Sequence, residues 1–125
     1  MPANRPEDLH ALFLAGVAAR DLDAIMKIYE PEPVGMNLAG EQITGHAAMR
    51  EFLGGFLSRV RTMSGSTRRV LISGDLALIS NSWQGTITGP DGQPLTASGT
   101  TAEVARRQPD GTWRLVIDDP AFIQP

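Results

Sequence analysis

Residues 76–107 read LALISNSWQGTITGPDGQPLTASGTTAEVARR. β-Branched and small residues dominate this stretch, no helical period survives in it, and Pro90-Asp91-Gly92 divides it into two runs, Leu76–Thr88 and Leu95–Arg107. Proline presets φ and glycine accepts the positive φ that closes a loop, so the pattern predicts a β-hairpin. In the first run Ala77, Ile79, Asn81, Trp83 and Ile87 share one face, while beyond Leu78 the other face is mostly serine, glutamine and threonine. That alternation turns Asn81 and Trp83 inward. A second Pro-Asp-Gly turn at 109–111 leads to a strand over Thr112–Asp118, and Ser73-Gly74-Asp75 leads back to one over Thr67–Ile72. Strands of about 13 residues would reach roughly 40 Å if flat, longer than so small a domain. The meander must therefore bend, and Gly85 and Gly99 are the places for it.

Upstream of Thr62 the period changes to that of helices. Leu9, Leu12, Phe13, Gly16 and Val17 form one stripe, which predicts a helix over Pro6–Ala19 with His10 off the stripe and solvated. Asp21 caps a second helix carrying Leu22, Ile25, Met26 and Tyr29, until Pro31 and Pro33 forbid continuation. Val34–Leu38 reads as a strand, Ala39-Gly40-Glu41 as a turn and Thr44 as the cap of a third helix, with Met49, Phe52, Leu53, Phe56, Leu57 and Val60 on one face. Gly54 and Gly55 within it predict close packing by a neighbouring element.

Three helices followed by a curled, mainly antiparallel sheet make an α+β fold in which the helices cover the concave face. Where they do not fill it, a pocket remains. At 125 residues the chain is read as one domain over residues 1–125. A net charge of −3 offers no positive field for phosphates, so nucleic acid is not expected as a partner. The absence of cysteine removes thiolate chemistry and disulfides. Neither histidine has carboxylates at ligand spacing, no HExxH pattern occurs, and no Gly-rich phosphate cradle or G-x-S-x-G elbow is present. No metal and no cofactor are expected. The apolar stretches are too short to span a bilayer and the N-terminus lacks the order of a secretion signal, which reads as no membrane partner and a cytoplasmic protein.

This order of elements, with Ala18-Ala19-Arg20-Asp21-Leu22-Asp23, Ile28-Tyr29, the string from Gly45 to Phe52 and the string from Arg106 to Val116, resembles the nuclear transport factor 2-like superfamily and its SnoaL-like and ketosteroid-isomerase-like groups. The resemblance implies a cone-shaped α+β barrel, commonly a homodimer through the outer sheet face, whose cavity serves isomerases, cyclases, dehydratases, epoxide hydrolases and non-enzymatic binders. Shared fold does not establish shared chemistry.

Ketosteroid isomerases, which this chain resembles around Tyr29 and Gly45–Phe52, carry an aspartate base nine residues before that glycine. Here the position falls at Met36, beside Asn37. A thioether moves no proton and an amide has no useful basicity, so the base must lie elsewhere and Asn37 is at most a ligand contact. Tyr29 matches a tyrosine that supports the site in that group, although the apolar face of a helix is also an ordinary place for a core tyrosine. SnoaL-like relatives often carry histidines two apart on the last strand, where this chain has Ile117 and Asp119. Asp118 and Asp119 are then the carboxylates available to a pocket, and strand parity admits only one of them. Glu103 is the strongest acid–base candidate in the sheet if it faces the cavity; the ordinary alternative is an exposed pair with a neighbouring arginine. Asn81 and Trp83 complete the candidate ligand contacts, with Trp83 a broad apolar wall bearing one N–H. His46, in the first turn of the third helix, reads as a surface residue.

Three functions remain open on these residues. One is a cofactor-free isomerase, cyclase, hydrolase or lyase moving a proton on a small apolar substrate, with Asp118, Asp119 and Glu103 as acid–base groups. The second is a pocket that binds without converting, and the third a dimeric scaffold with an under-filled core. A homodimer is expected in any case, because Val70, Ile72, Leu76, Leu78 and Val116 are too many for one sheet face.

Overall fold

The computed structural model describes residues 2–123. Its elements run α1 (Asp8–Ala19), α2 (Leu22–Met26), β1 (Tyr29–Met36), β2 (Gln42–Thr44), α3 (His46–Arg59), β3 (Val60–Ser73), β4 (Leu76–Thr88), β5 (Pro94–Arg107) and β6 (Trp113–Ile123). The strands form one curved sheet in the order β2-β1-β6-β5-β4-β3. All its neighbours are antiparallel except β1 and β6, which run parallel. The α+β architecture expected from the sequence is the one observed, and the sheet is not closed.

The helices lie across the hollow side, where Leu9, Val17, Ile25, Met49, Leu53 and Phe56 meet Ala77, Ile79, Ala105 and Leu115 from the strands. At about 25 cal/mol per Å² of apolar surface removed from water, this layer is the main source of stability in a chain without cross-links. Gly16 lets α1 and α2 touch: a Cβ there would stand 2.5 Å from Ile25 Cγ1. Gly99, a predicted bend, lies beneath Trp83, whose Nε1 would be 2.8 Å from an added Cβ.

Several boundaries move for identifiable reasons. Helix α1 starts at Asp8, because the Asp8 carboxylate accepts from the Asn4 and Arg5 amides and holds the preceding residues in a turn. Tyr29 is not on a helix: α2 stops at Met26, and Tyr29 opens β1. Pro31 and Pro33 interrupt the pairing of this strand, since each lacks the N–H a ladder needs, and the register with β6 shifts between Tyr29 and Val34. Thr44 closes β2, and Gly45, with φ at 93°, takes the cap of α3. Val60 opens β3, which therefore starts seven residues before Thr67, and β6 continues past Asp118 to Ile123. The close approach expected at Gly54 and Gly55 is absent: a Cβ at Gly54 would make ordinary contact with Leu22 and one at Gly55 would meet open space. Among the described residues no helix is long and apolar enough to cross a membrane.

Candidate active site

Strand parity does most of the placing. On β5 the buried residues are Thr101, Glu103 and Ala105, with Ala102 and Val104 on the outer side. On β6 the alternation of the buried Trp113 and Leu115 would turn Ile117 inward, but a register shift against β5 between Val104 and Ala105 leaves Ile117 exposed and brings Asp118 to the inner side. Glu103 and Asp118 are direct cross-strand partners, so their side chains project together into the hollow. Helix α1 supplies Leu9, His10 and Phe13 to the opposite wall, α3 supplies Met49, Phe52, Leu53 and Phe56, and Trp83 and Met63 close one side. The cavity holds about 60 Å³ by the measure on which one water needs roughly 10–15 Å³, and about 700 Å³ when the space between its walls is counted out to the open mouth.

Each carboxyl has its own partners. The Tyr29 hydroxyl donates to Asp118 Oδ2 at 2.6 Å. Asn81 Nδ2 donates to Glu103 Oε2 at 2.9 Å, and the Thr67 hydroxyl donates to Asn81 Oδ1 at 2.8 Å. The Thr101 hydroxyl accepts from the Asn81 amide. Trp83 Nε1 donates to the Pro120 carbonyl at 2.7 Å, which fixes the indole plane against the cavity.

Burial is the first cause of the electrostatics. It raises the Glu103 pKa to about 8, with the charge of Asp118 acting in the same direction and hydrogen bonds from Thr101 and Asn81 acting against it. Burial also raises Asp118, to about 6, while the Tyr29 hydrogen bond restrains the rise and Asp119 adds to it. Asp118 keeps an edge on the cavity surface although protein surrounds it. The two carboxyls are coupled cross-strand partners that titrate as a pair, and burial makes both harder to ionise. Tyr29 is held protonated by burial and by the neighbouring Asp118 charge.

The structure therefore brings together Glu103, Asp118, Tyr29 and Trp83 at the cavity, with Asn81 fully buried behind Glu103. Glu103 does not form the exposed arginine pair: Arg106 binds Glu30 and Arg107 binds Asp75. Its neighbour Val104 joins an apolar row on the outer face, which leaves Glu103 on the cavity side. Asp119 turns away from the cavity and accepts from the Ala121 amide. Asn37 lies outside it too, in the turn after β1, where its side chain accepts from the Ala39 and Glu41 amides. Met36, at the position of the isomerase base, does line the cavity. His46 is exposed.

His10 corrects the sequence reading most. It is buried, it lines the cavity, and burial lowers its pKa. The signal was present: His10 stands three residues before Phe13 and seven before Val17, at the edge of the same helical stripe. Among the described residues no group of three or more His, Asp or Glu side chains is placed to hold a metal ion.

Comparison with known proteins agrees with this architecture. The ketosteroid isomerase-like protein from Erwinia carotovora atroseptica SCRI1043 superposes with a TM-score of 0.83 at 20% identity, over 95% of this chain and 94% of that one. The NTF2-like superfamily protein from Salmonella enterica serovar Typhimurium gives 0.77 at 17% identity, over 95% and 90%. A conserved protein from Planctomyces limnophilus DSM 3776 gives 0.78 at 16%, over 90% and 88%. These likenesses concern the fold. Sequence comparison with curated proteins finds no match. The SnoaL-like domain family matches residues 10–116, and this protein belongs to that family.

Proposed function

We propose that this protein is a cofactor-free acid–base catalyst acting on a small, largely apolar molecule with a carbon acid next to a carbonyl. The observation that carries the reading is the opposed pair Glu103 and Asp118, held apart in proton affinity by different neighbours inside an apolar cavity. A pair of carboxyls whose environments separate their pKa values supplies an acid and a base at one pH. Near pH 7 Asp118, oriented by Tyr29, is the base that takes a proton from carbon. Glu103, still protonated, donates to the oxygen on which charge develops, and the proton then returns to another carbon or departs with a leaving group. Isomerisation, cyclisation and elimination share that opening step. Phe13, Phe52, Phe56 and Trp83 keep water from the anion.

Deuterium wash-in at the α-carbon of 2-tetralone, followed by proton NMR in D₂O, tests the reading. Wild-type protein is expected to exchange the probe well above the buffer rate. The pH profile should be bell-shaped, falling below about 6 as Asp118 gains its proton and above about 8 as Glu103 loses its own. Asp118→Asn should reduce the rate by about 10²-fold or more. Binding without exchange would favour the second reading, a pocket that holds its ligand unconverted, which the methionine at the isomerase base position supports.

The same reading includes a homodimer. Leu71, Leu78, Val104 and Ile117 are successive cross-strand neighbours over β3, β4, β5 and β6, and they form one apolar row on the outer face. Leu71, Leu78 and Ile117 are exposed, with Leu76 and Ile72 nearby, whereas Val70 packs against the core and Val116 is half-buried. A contiguous apolar row of this kind on a monomer calls for cover. Sedimentation at micromolar concentration should give a dimer for wild type and a monomer for Leu78→Arg; a monomeric wild type ends this part of the reading.

A further inference from the structure

His10 stands at the far side of the cavity from the carboxyl pair, and its position has no structural use that the described residues reveal. Its Nε2 is buried and finds no hydrogen-bond partner among them. A buried nitrogen left in this state is destabilising, a cost that a leucine at the same point of α1 would avoid. The fold also makes room for it. β3 passes the imidazole at Gly65, where an added Cβ would stand 2.8 Å from His10 Nε2 and 2.3 Å from the Ser82 carbonyl oxygen. The ring thus occupies space that any other residue at position 65 would contest, beside the wall formed by Trp83.

The strand order sets the span. Gly65 lies on β3 and Glu103 on β5, with β4 between them. Gly65 pairs with Trp83 and Trp83 with Gly99, so Glu103 also stands four residues further along β5; at about 4.8 Å per strand and 3.3 Å per residue, the two positions are on the order of 16 Å apart along the sheet. Between them the lining is aromatic and aliphatic, from Phe13, Met63 and Trp83. A neutral imidazole nitrogen can donate or accept according to tautomer, and a hydroxyl group answers either.

We propose that His10 is a second polar anchor of the cavity, binding a hydroxyl at one end of a flat, two-ring or three-ring apolar molecule whose other end carries the oxygen facing Glu103. This rests on the acid–base reading for the Glu103 end and adds the requirement for two polar ends. His10 touches the ligand remote from the reacting carbon, so it sets specificity and orientation rather than moving the proton.

Fluorescence titration with 2-naphthol and naphthalene-2,6-diol separates the two claims. Two identical ends give the diol a statistical advantage of about two, and a hydrogen bond at each end should raise the wild-type preference to about tenfold or more. His10→Phe should return the ratio to about two, and His10→Gln, which keeps a side-chain donor and acceptor, should retain several-fold. The ¹⁵N signals of the His10 imidazole should shift with the diol. A wild-type ratio near two, or a preference that survives His10→Phe, overturns the assignment while leaving acid–base chemistry intact. Failure of both probes to bind overturns both. Should His10→Phe not fold, the ¹⁵N shift and the His10→Gln ratio decide.

Discussion

Glu103→Gln is expected to raise the thermal midpoint at pH 8–9 by on the order of 10 °C and to leave it nearly unchanged near pH 4. Folding raises the proton affinity of this carboxyl from the ordinary 4.5 to about 8, so the folded state binds more protons than the unfolded one between those values. The native state loses nothing below about pH 4.5, loses stability progressively as pH rises, and carries the full cost above about 8. At about 1.4 kcal/mol for each tenfold in proton affinity, that cost is on the order of 3–5 kcal/mol. Glutamine keeps the shape and an acceptor for Asn81 Nδ2, yet it cannot ionise. With roughly 3–5 °C per kcal/mol for a domain this size, the gain is large enough to read by calorimetry. Parallel stability–pH curves for wild type and variant would contradict the placement of Glu103 in a dry site. On the proposed function the same variant should lose exchange of 2-tetralone at neutral pH, so that stability and activity move in opposite directions.

Asn81→Leu is expected to destabilise the protein by about 2–4 kcal/mol. Asn81 is completely buried, donates to Glu103 and accepts from Thr67. Leucine keeps the branched skeleton but replaces the amide with two larger methyl groups, so the change adds some crowding to the lost hydrogen bonds and leaves the buried Glu103 and the part-buried Thr67 without this partner, at about 1–3 kcal/mol each. Its effect on the acid has a definite sign. The Asn81 hydrogen bond holds Glu103 down, so its loss should move the Glu103 midpoint above about 8 in a ¹³C-detected titration. Adding Glu103→Leu to Asn81→Leu should recover about 1–3 kcal/mol of the loss, because the orphaned acid is then gone. Additive losses in the double variant would mean that the two side chains do not act as a unit.

The two substitutions probe one arrangement from opposite sides. Thr67, Asn81 and Glu103 form a chain of hydrogen bonds crossing β3, β4 and β5, and Tyr29 with Asp118 forms a second, shorter one joining β1 to β6. Both end at neighbouring positions of one ladder. The two carboxyls are thereby oriented from opposite flanks of the sheet, with neither dependent on a loop. Sites built on strands hold their geometry better than sites on loops, and the turn residues Asn37 and Asp110 take part only in local turn bonds.

What could be read in the chain follows the range of the interactions. The alternation in Leu76–Thr88 is a local property, so it placed Asn81 and Trp83 inward correctly, and the Pro-Asp-Gly turns marked both hairpins. Tyr29 was recognised by its matching string but assigned to a helix, because Ile25, Met26 and Tyr29 keep a helical spacing that gives no sign of the parallel partner Leu115. Asp118 could not be separated from Asp119, since both parities of β6 carry apolar residues and only the ladder with β5 fixes which one opposes Glu103. For Glu103 the sequence left the cavity and an exposed arginine pair both open, and only the ladders, which carry Val104 into an apolar row on the outer face, decide for the cavity.

Three helices, the antiparallel meander with its turns, the inward face of β4 and the family were legible in the chain, because each depends on neighbours a few residues away or on a string of residues in order, whereas β2 and the start of β1 were not. The tertiary structure alone decided that Glu103 and Asp118 stand side by side, that Tyr29 reaches Asp118 from 89 residues away, and that His10 faces the cavity. Proton affinities in this site come from burial and from partners on other strands, and both arise only when the sheet curls and the helices close over it.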